Sequence, residues 1–111
     1  MNYKVVATPS FLVDVKRLSK KYPSLKIDIA ELAVLLSANP TTGTPLGKDA
    51  YKIRLAITSK GKGKSGGARV ITCIKVIRAI VYLVSIFDKS EKENITENIT
   101  DKELKELLKA L

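Results

Sequence analysis

Histidine and tryptophan are absent from this chain, and cysteine occurs once, at Cys73. The lack of histidine excludes Ser-His-Asp triads and His-based zinc sites together, and removes the side chain that most often acts as general base near neutral pH. One cysteine cannot form an internal disulfide. Set in the apolar run Ala68 to Ile74, it reads as a small core residue of a protein kept in a reducing cytoplasm. No apolar run reaches bilayer-spanning length and no secretory leader opens the chain, so neither a membrane nor an exported location is expected. Nothing in the sequence calls for a metal or another cofactor. A further absence is local: no aspartate or glutamate lies between Asp49 and Asp88.

What is present fits one domain spanning residues 1–111, large enough to bury a core without metal or disulfide staples. Hydrophobic residues form 45% of the chain, which argues against disorder. The net charge of +9 is unevenly spread. Residues 48–75 hold eight cations and one anion, whereas residues 76–111 hold six cations and seven anions. Charge focused in the middle third points to a phosphate-rich partner such as nucleic acid.

The densest part of that charge is KGKGKSGGARVI, Lys60 to Ile71. Lys60, Lys62, Lys64 and Arg69 stand among Gly61, Gly63, Gly66 and Gly67, and glycine lets a backbone approach a ligand closely. Flanked by strand-like runs, this stretch reads either as a flexible polyanion site or as a solvated hairpin loop whose lysines confer solubility.

In chain order, Tyr3 to Ala7 suits a first strand. Thr8 and Pro9 form a helix start, with Thr8 as N-cap and proline at the first helical position. Phe11, Val15, Leu18 and Tyr22 make one helical stripe, and Leu25, Ile29, Leu32 and Leu36 make a second beyond Pro23-Ser24. Asn39-Pro40 ends that helix, so the pair predicts an antiparallel helical hairpin. Thr41 to Gly47 reads as a turn-rich connector. In the strand Tyr51 to Ile57, Ile53, Leu55 and Ile57 alternate with Lys52, Arg54 and Ala56, which predicts aliphatics toward the helices and cations on the opposite, uncovered face. Ala68 to Ile74 predicts another strand, Lys75 to Ala79 a turn, and Arg78 to Phe87 an apolar strand inside the sheet. The tail carries a tandem ENIT repeat at 93–100. A capping box at Thr100 and Glu103 then opens a short helix, residues 100–111, striped by Leu104, Leu107, Leu108 and Leu111. The predicted fold is a two-layer α+β domain: an N-terminal strand and helical hairpin packed on a small, mainly antiparallel sheet, with a short C-terminal helix.

YKIRLAITSKGKGKSGGARVI followed by YLVSIFDKSEKENI resembles toxins of the RelE/ParE superfamily, in particular the RelE- and HigB-like branch of type II toxin-antitoxin systems. NPTTGTPLG (Asn39 to Gly47) fits the same pattern, and the resemblance covers nearly the whole chain. It implies a cytoplasmic toxin that cuts mRNA on the translating ribosome, inhibits translation, and is held inactive in a hetero-oligomer with a cognate antitoxin. It also implies roles for individual residues. Lys52 and Arg54 match the strand cations used against the RNA backbone, Arg69 the arginine of transition-state stabilisation, and Lys89 a basic catalytic position. Apart from the resemblance, the basic cluster itself leads to the expectation that Lys48, Lys60, Lys62 and Lys64 add RNA contacts, the last three as a mobile clamp. Ser90 departs from the family, where some members carry arginine, and no aromatic residue follows among Glu91 to Ile95.

That chemistry needs a ribose 2′-OH deprotonated, a phosphorane charge held by fixed donors and a leaving 5′-oxygen protonated. Arginine suits the second task because its fork grips two phosphate oxygens and stays charged. Without histidine, the base would be a lysine depressed by neighbouring cations, and Lys52 beside Arg54 and Arg69 has that setting. Two other functions stay open, the first implied by the same resemblance although Lys52, Arg54 and Arg69 argue against it. One is a ParE-type toxin acting on DNA gyrase, the other an RNA-binding module without catalysis, whose affinity would fall steeply with salt.

Overall fold

The computed structural model describes residues 2–61, 63–88, 105, 106, 108, 109 and 111, with backbone alone for Lys64 and Ser65. Strand β1 (Lys4–Ala7) leads into α1 (Pro9–Ser19) and α2 (Leu25–Ala38). Then come β2 (Thr44–Gly47) and β3 (Ala50–Leu55), a 3₁₀ turn at Thr58–Lys60, and a single helical turn, α3 (Gly63–Gly66). Strands β4 (Ala68–Lys75) and β5 (Ile80–Asp88) follow, joined by a 3₁₀ turn at Val76–Arg78. The sheet order is β1-β5-β4-β3-β2, parallel only between β1 and β5. The result is the expected α+β architecture, two helices on a five-stranded, mostly antiparallel sheet.

Local chemistry explains the helix boundaries. The Thr8 hydroxyl accepts the Phe11 amide at 3.3 Å as N-cap, and Thr8 also lies 3.1 Å from the Leu83 carbonyl, to which it donates. One side chain therefore starts α1 and ties it to β5. Asn39 caps α2 where the following proline disfavours further helix. Both stripes then face inward: Phe11, Leu18, Tyr22, Leu25, Leu32 and Leu36 pack on Ile53, Leu55, Val70, Val81 and Ile86.

Three expectations are corrected. Thr44–Gly47 is an edge strand, where the sequence reads as connector. It ends in a two-residue turn whose Lys48 and Asp49 both take positive φ, 56° and 60°. Such a hairpin favours Asn-Gly, so Lys48-Asp49 gives no recognisable signal. Next, the stretch after Lys60 holds a helical turn as well as loop. Third, the sheet face away from the helices is not merely cationic. It has its own apolar cluster of Ala50, Ile71, Cys73, Val84 and Phe87, against which Leu46, Tyr82 and Leu108 pack. Lys105, Glu106 and Leu108 are helical, with the Lys109 amide bonded to the Lys105 carbonyl at 3.1 Å. The capping box at Thr100 and Glu103 lies outside the described residues.

Candidate functional site

Strand alternation and register decide which cations meet. On β3, Ile53 and Leu55 enter the helix-side core, so Lys52 and Arg54 point to the other face. Arg54 stands directly across from Arg69 on β4, and Lys52 across from Ile71. Directly opposed residues of an antiparallel pair have α-carbons roughly 5 Å apart. The three side chains expected to share a face therefore do so. Like charges directly opposite one another are unfavourable in a sheet.

The three differ in exposure. Arg54 is exposed at the sheet margin, beside a groove of about 280 Å³ that also touches Asp28, Glu31, Leu35 and Thr42. Lys52 is half-buried. Arg69 is only 4% exposed, and its guanidinium donates to the Ala68 carbonyl at 3.1 Å. Beside it on β5 stands Phe87, its register partner, from the second apolar cluster. Alternation on β3 found Lys52 and Arg54; the burial of Arg69 follows from the apolar cluster on its face, which the sequence does not announce.

Lys60 needs a different account from the one its position suggests. Its ammonium lies 2.8 Å from an Asp88 oxygen and 5.5 Å from the centre of the Tyr22 ring, and the side chain is 13% exposed. The Tyr22 hydroxyl donates to the other Asp88 oxygen. Burial works against the ammonium charge, but the hydrogen bond and charge of Asp88 outweigh it and hold the Lys60 pKa above its ordinary value. Lys60 is an inward, paired cation instead of a mobile surface contact. Lys48 is exposed in the β2–β3 turn, at the end of β3 remote from Arg54. Lys62, Lys89 and the Lys64 side chain lie outside the described residues.

The same turn is anchored by a second carboxylate that sequence reasoning missed. Asp28 accepts the Thr58 hydroxyl at 2.6 Å, the Thr58 amide at 3.0 Å and the Ser24 hydroxyl at 2.9 Å. Burial raises its pKa, and these bonds, led by Thr58, overcome that and leave it below the ordinary value. Ser59 joins through its amide and hydroxyl to Ser24, at 2.8 and 2.9 Å. The segment before the glycines is thus fastened to the start of α2 by Asp28 and to the end of β5 by Asp88. Among the described residues, no group of His, Cys, Asp or Glu could hold a metal ion, and no helix is long and apolar enough to cross a membrane.

This two-layer fold is that of bacterial toxins in solved structures. The chain superposes on an arginine-to-alanine double mutant of the Escherichia coli toxin RelE in its free state with TM-score 0.61 at 18% identity, covering 89% of this chain and 96% of that one. It matches a chain of the Mycobacterium tuberculosis RelBE2 toxin-antitoxin complex with TM-score 0.58 at 19% identity, over 79% and 99% of the two chains. Isolated E. coli RelE gives 0.52 at 22% identity, over 86% and 97%. No curated protein matches by sequence. The family model described as the RelE toxin of the RelE/RelB toxin-antitoxin system matches residues 16–111, and the chain belongs to that family.

Proposed function

We propose that this toxin is a ribosome-dependent mRNA endonuclease that inhibits translation in the cytoplasm. The observation that carries the reading is the register pair Arg54–Arg69 with Lys52 one step along the same face, in a member of the RelE toxin family. Two opposed guanidiniums and an ammonium suit a phosphate whose charge rises as a bond is made and another broken. In the reaction, a ribose 2′-oxygen loses its proton, attacks the adjacent phosphorus and expels the 5′-oxygen, which takes up a proton. The products are a 2′,3′-cyclic phosphate and a 5′-hydroxyl. Lys52 acts as the base, Arg54 and Arg69 hold the phosphoryl oxygens, and Lys89 supplies a further basic group. Lys48, Lys62 and Lys64 contact RNA away from the scissile bond. The ribosome orients the mRNA, which provides the positioning that a site with few groups lacks.

Because Arg69 is 4% exposed, a phosphate reaches it only when the side chains over it give way. A cognate antitoxin is the natural inhibitor, through an acidic amphipathic segment set on Lys52, Arg54 and Arg69 or in place of the 104–111 segment. The test is cleavage of a defined mRNA by purified protein with and without translating ribosomes. The reading predicts cuts only with ribosomes, ending in cyclic phosphate and 5′-hydroxyl. Intact mRNA under arrested replication would assign the protein to gyrase inhibition, and salt-sensitive RNA binding without cuts would leave a binding module.

A further inference from the structure

One buried carboxylate lies against both ends of the glycine-rich connection. Lys60 is the residue before it, paired with Asp88 at 2.8 Å. Ala68 is the residue after it and faces Asp88 in the β4–β5 register. The second Asp88 oxygen accepts the Tyr22 hydroxyl, so the chain just beyond α1 joins the same point. Asp88 is fully buried and Tyr22 is 7% exposed, so neither presents a surface to a ligand. One residue beyond the Ala68–Asp88 pair comes Arg69 opposite Phe87.

A connection containing Gly61, Gly63, Gly66 and Gly67 loses much conformational freedom when it is held in one path. Buried ion pairs are weak contributors to net stability, and in some proteins their role is to select one arrangement over others. The contacts that would select an arrangement here are local. Residue 61 starts from a fixed point in the left-handed conformation, φ 73°, and residue 68 re-enters the sheet next to the same carboxylate. The Gly67 position is equally constrained, since a Cβ there would sit 2.0 Å from the Leu55 carbonyl oxygen.

We propose that Asp88, with Lys60 and Tyr22, is a clasp that closes the basic connection and positions Arg69, so that these three are positioning residues for cleavage. The proposal rests on the mRNA-cleavage reading above. It makes a prediction that charge alone reverses. Asp88→Asn makes the protein more positive, which favours RNA; the clasp predicts poorer cleavage.

The experiment uses the full chain with Asp88→Asn, Tyr22→Phe, Lys60→Met and Lys60→Arg. Three quantities are measured: ribosome-dependent kcat and KM, amide hydrogen exchange across residues 61–71, and global stability in urea. The clasp predicts kcat lower by about tenfold in Asp88→Asn and Lys60→Met with KM little changed, because misplaced groups cost rate more than binding. It predicts exchange at 61–71 faster by about tenfold or more through local opening, beyond any change in global stability. Lys60→Arg, which keeps the charge pair, restores both, and Tyr22→Phe, which keeps the ring and the ion pair, shows the same losses in smaller measure. Wild-type exchange and kcat in Asp88→Asn and Tyr22→Phe, or losses matching the fall in global stability alone, overturn the clasp. If wild-type protein cuts no mRNA, the cleavage reading fails, and the exchange data still decide whether Asp88 holds the connection.

Discussion

Alanine at Gly67 is a severe test of how β3 and β4 approach. Its Cβ would stand 2.0 Å from the Leu55 carbonyl oxygen, 3.0 Å from the Leu55 carbonyl carbon and 3.1 Å from Ala56 Cα. All three are backbone atoms, so no side-chain rotation relieves the contact. The strands must part where Leu55 faces Ala68, beside the Arg54–Arg69 pair. Over-packing a tight interior costs about 1–3 kcal/mol, and a clash with backbone alone belongs at the upper end, about 3 kcal/mol. At about 4–8 °C per kcal/mol for a domain near this size, Tm falls by roughly 12–24 °C. Calorimetry and urea unfolding of the Gly67→Ala protein measure it. A Tm within about 3 °C of wild type, against a scale of 4–8 °C per kcal/mol, would refute the close approach of the two backbones.

Other substitutions test other parts of the account. Thr72 is fully buried, and its hydroxyl has no hydrogen-bond partner among the described residues; Thr72→Val should therefore stabilise by about 1 kcal/mol in urea unfolding. Thr8→Ala loses both the cap and the bond to β5, at a cost of about 1–2 kcal/mol, again read from urea midpoints. Lys48→Asn with Asp49→Gly supplies the residues that two successive positive φ values favour, and should raise Tm. Asp28, whose folded pKa is depressed, adds stability above its unfolded value of 3.8, and loses it as pH falls through the folded value. Asp28→Asn should accordingly be less stable than wild type at neutral pH, with the difference narrowing below about pH 4; a gap independent of pH would contradict the assignment.

The helical hairpin was legible because its information is local. Thr8-Pro9, Pro23-Ser24 and Asn39-Pro40 mark its ends, and the two stripes mark its buried side. The shared face of Lys52 and Arg54 was legible from alternation alone. Strand β2 was not, because Thr44–Gly47 contains a proline and a glycine and owes its extended form to pairing with β3. Lys60 misleads for a related reason: its partner Asp88 lies 28 residues away, and only the end of β5 arriving beneath the turn reveals an ion pair. The burial of Arg69 depends likewise on distant residues, Phe87 and its apolar neighbours, that the sheet gathers on a face read from sequence as charged.

The role proposed for Arg69 in the transition state of RNA cleavage is tested most directly by one measurement. Single-turnover cleavage of mRNA on translating ribosomes is compared for wild type and Arg69→Ala, with ribosome affinity determined on the same samples. Loss of a transition-state donor should lower the rate by about 10²-fold or more while affinity largely survives. Cleavage at the wild-type rate, or loss of binding and cleavage together, would contradict the assignment.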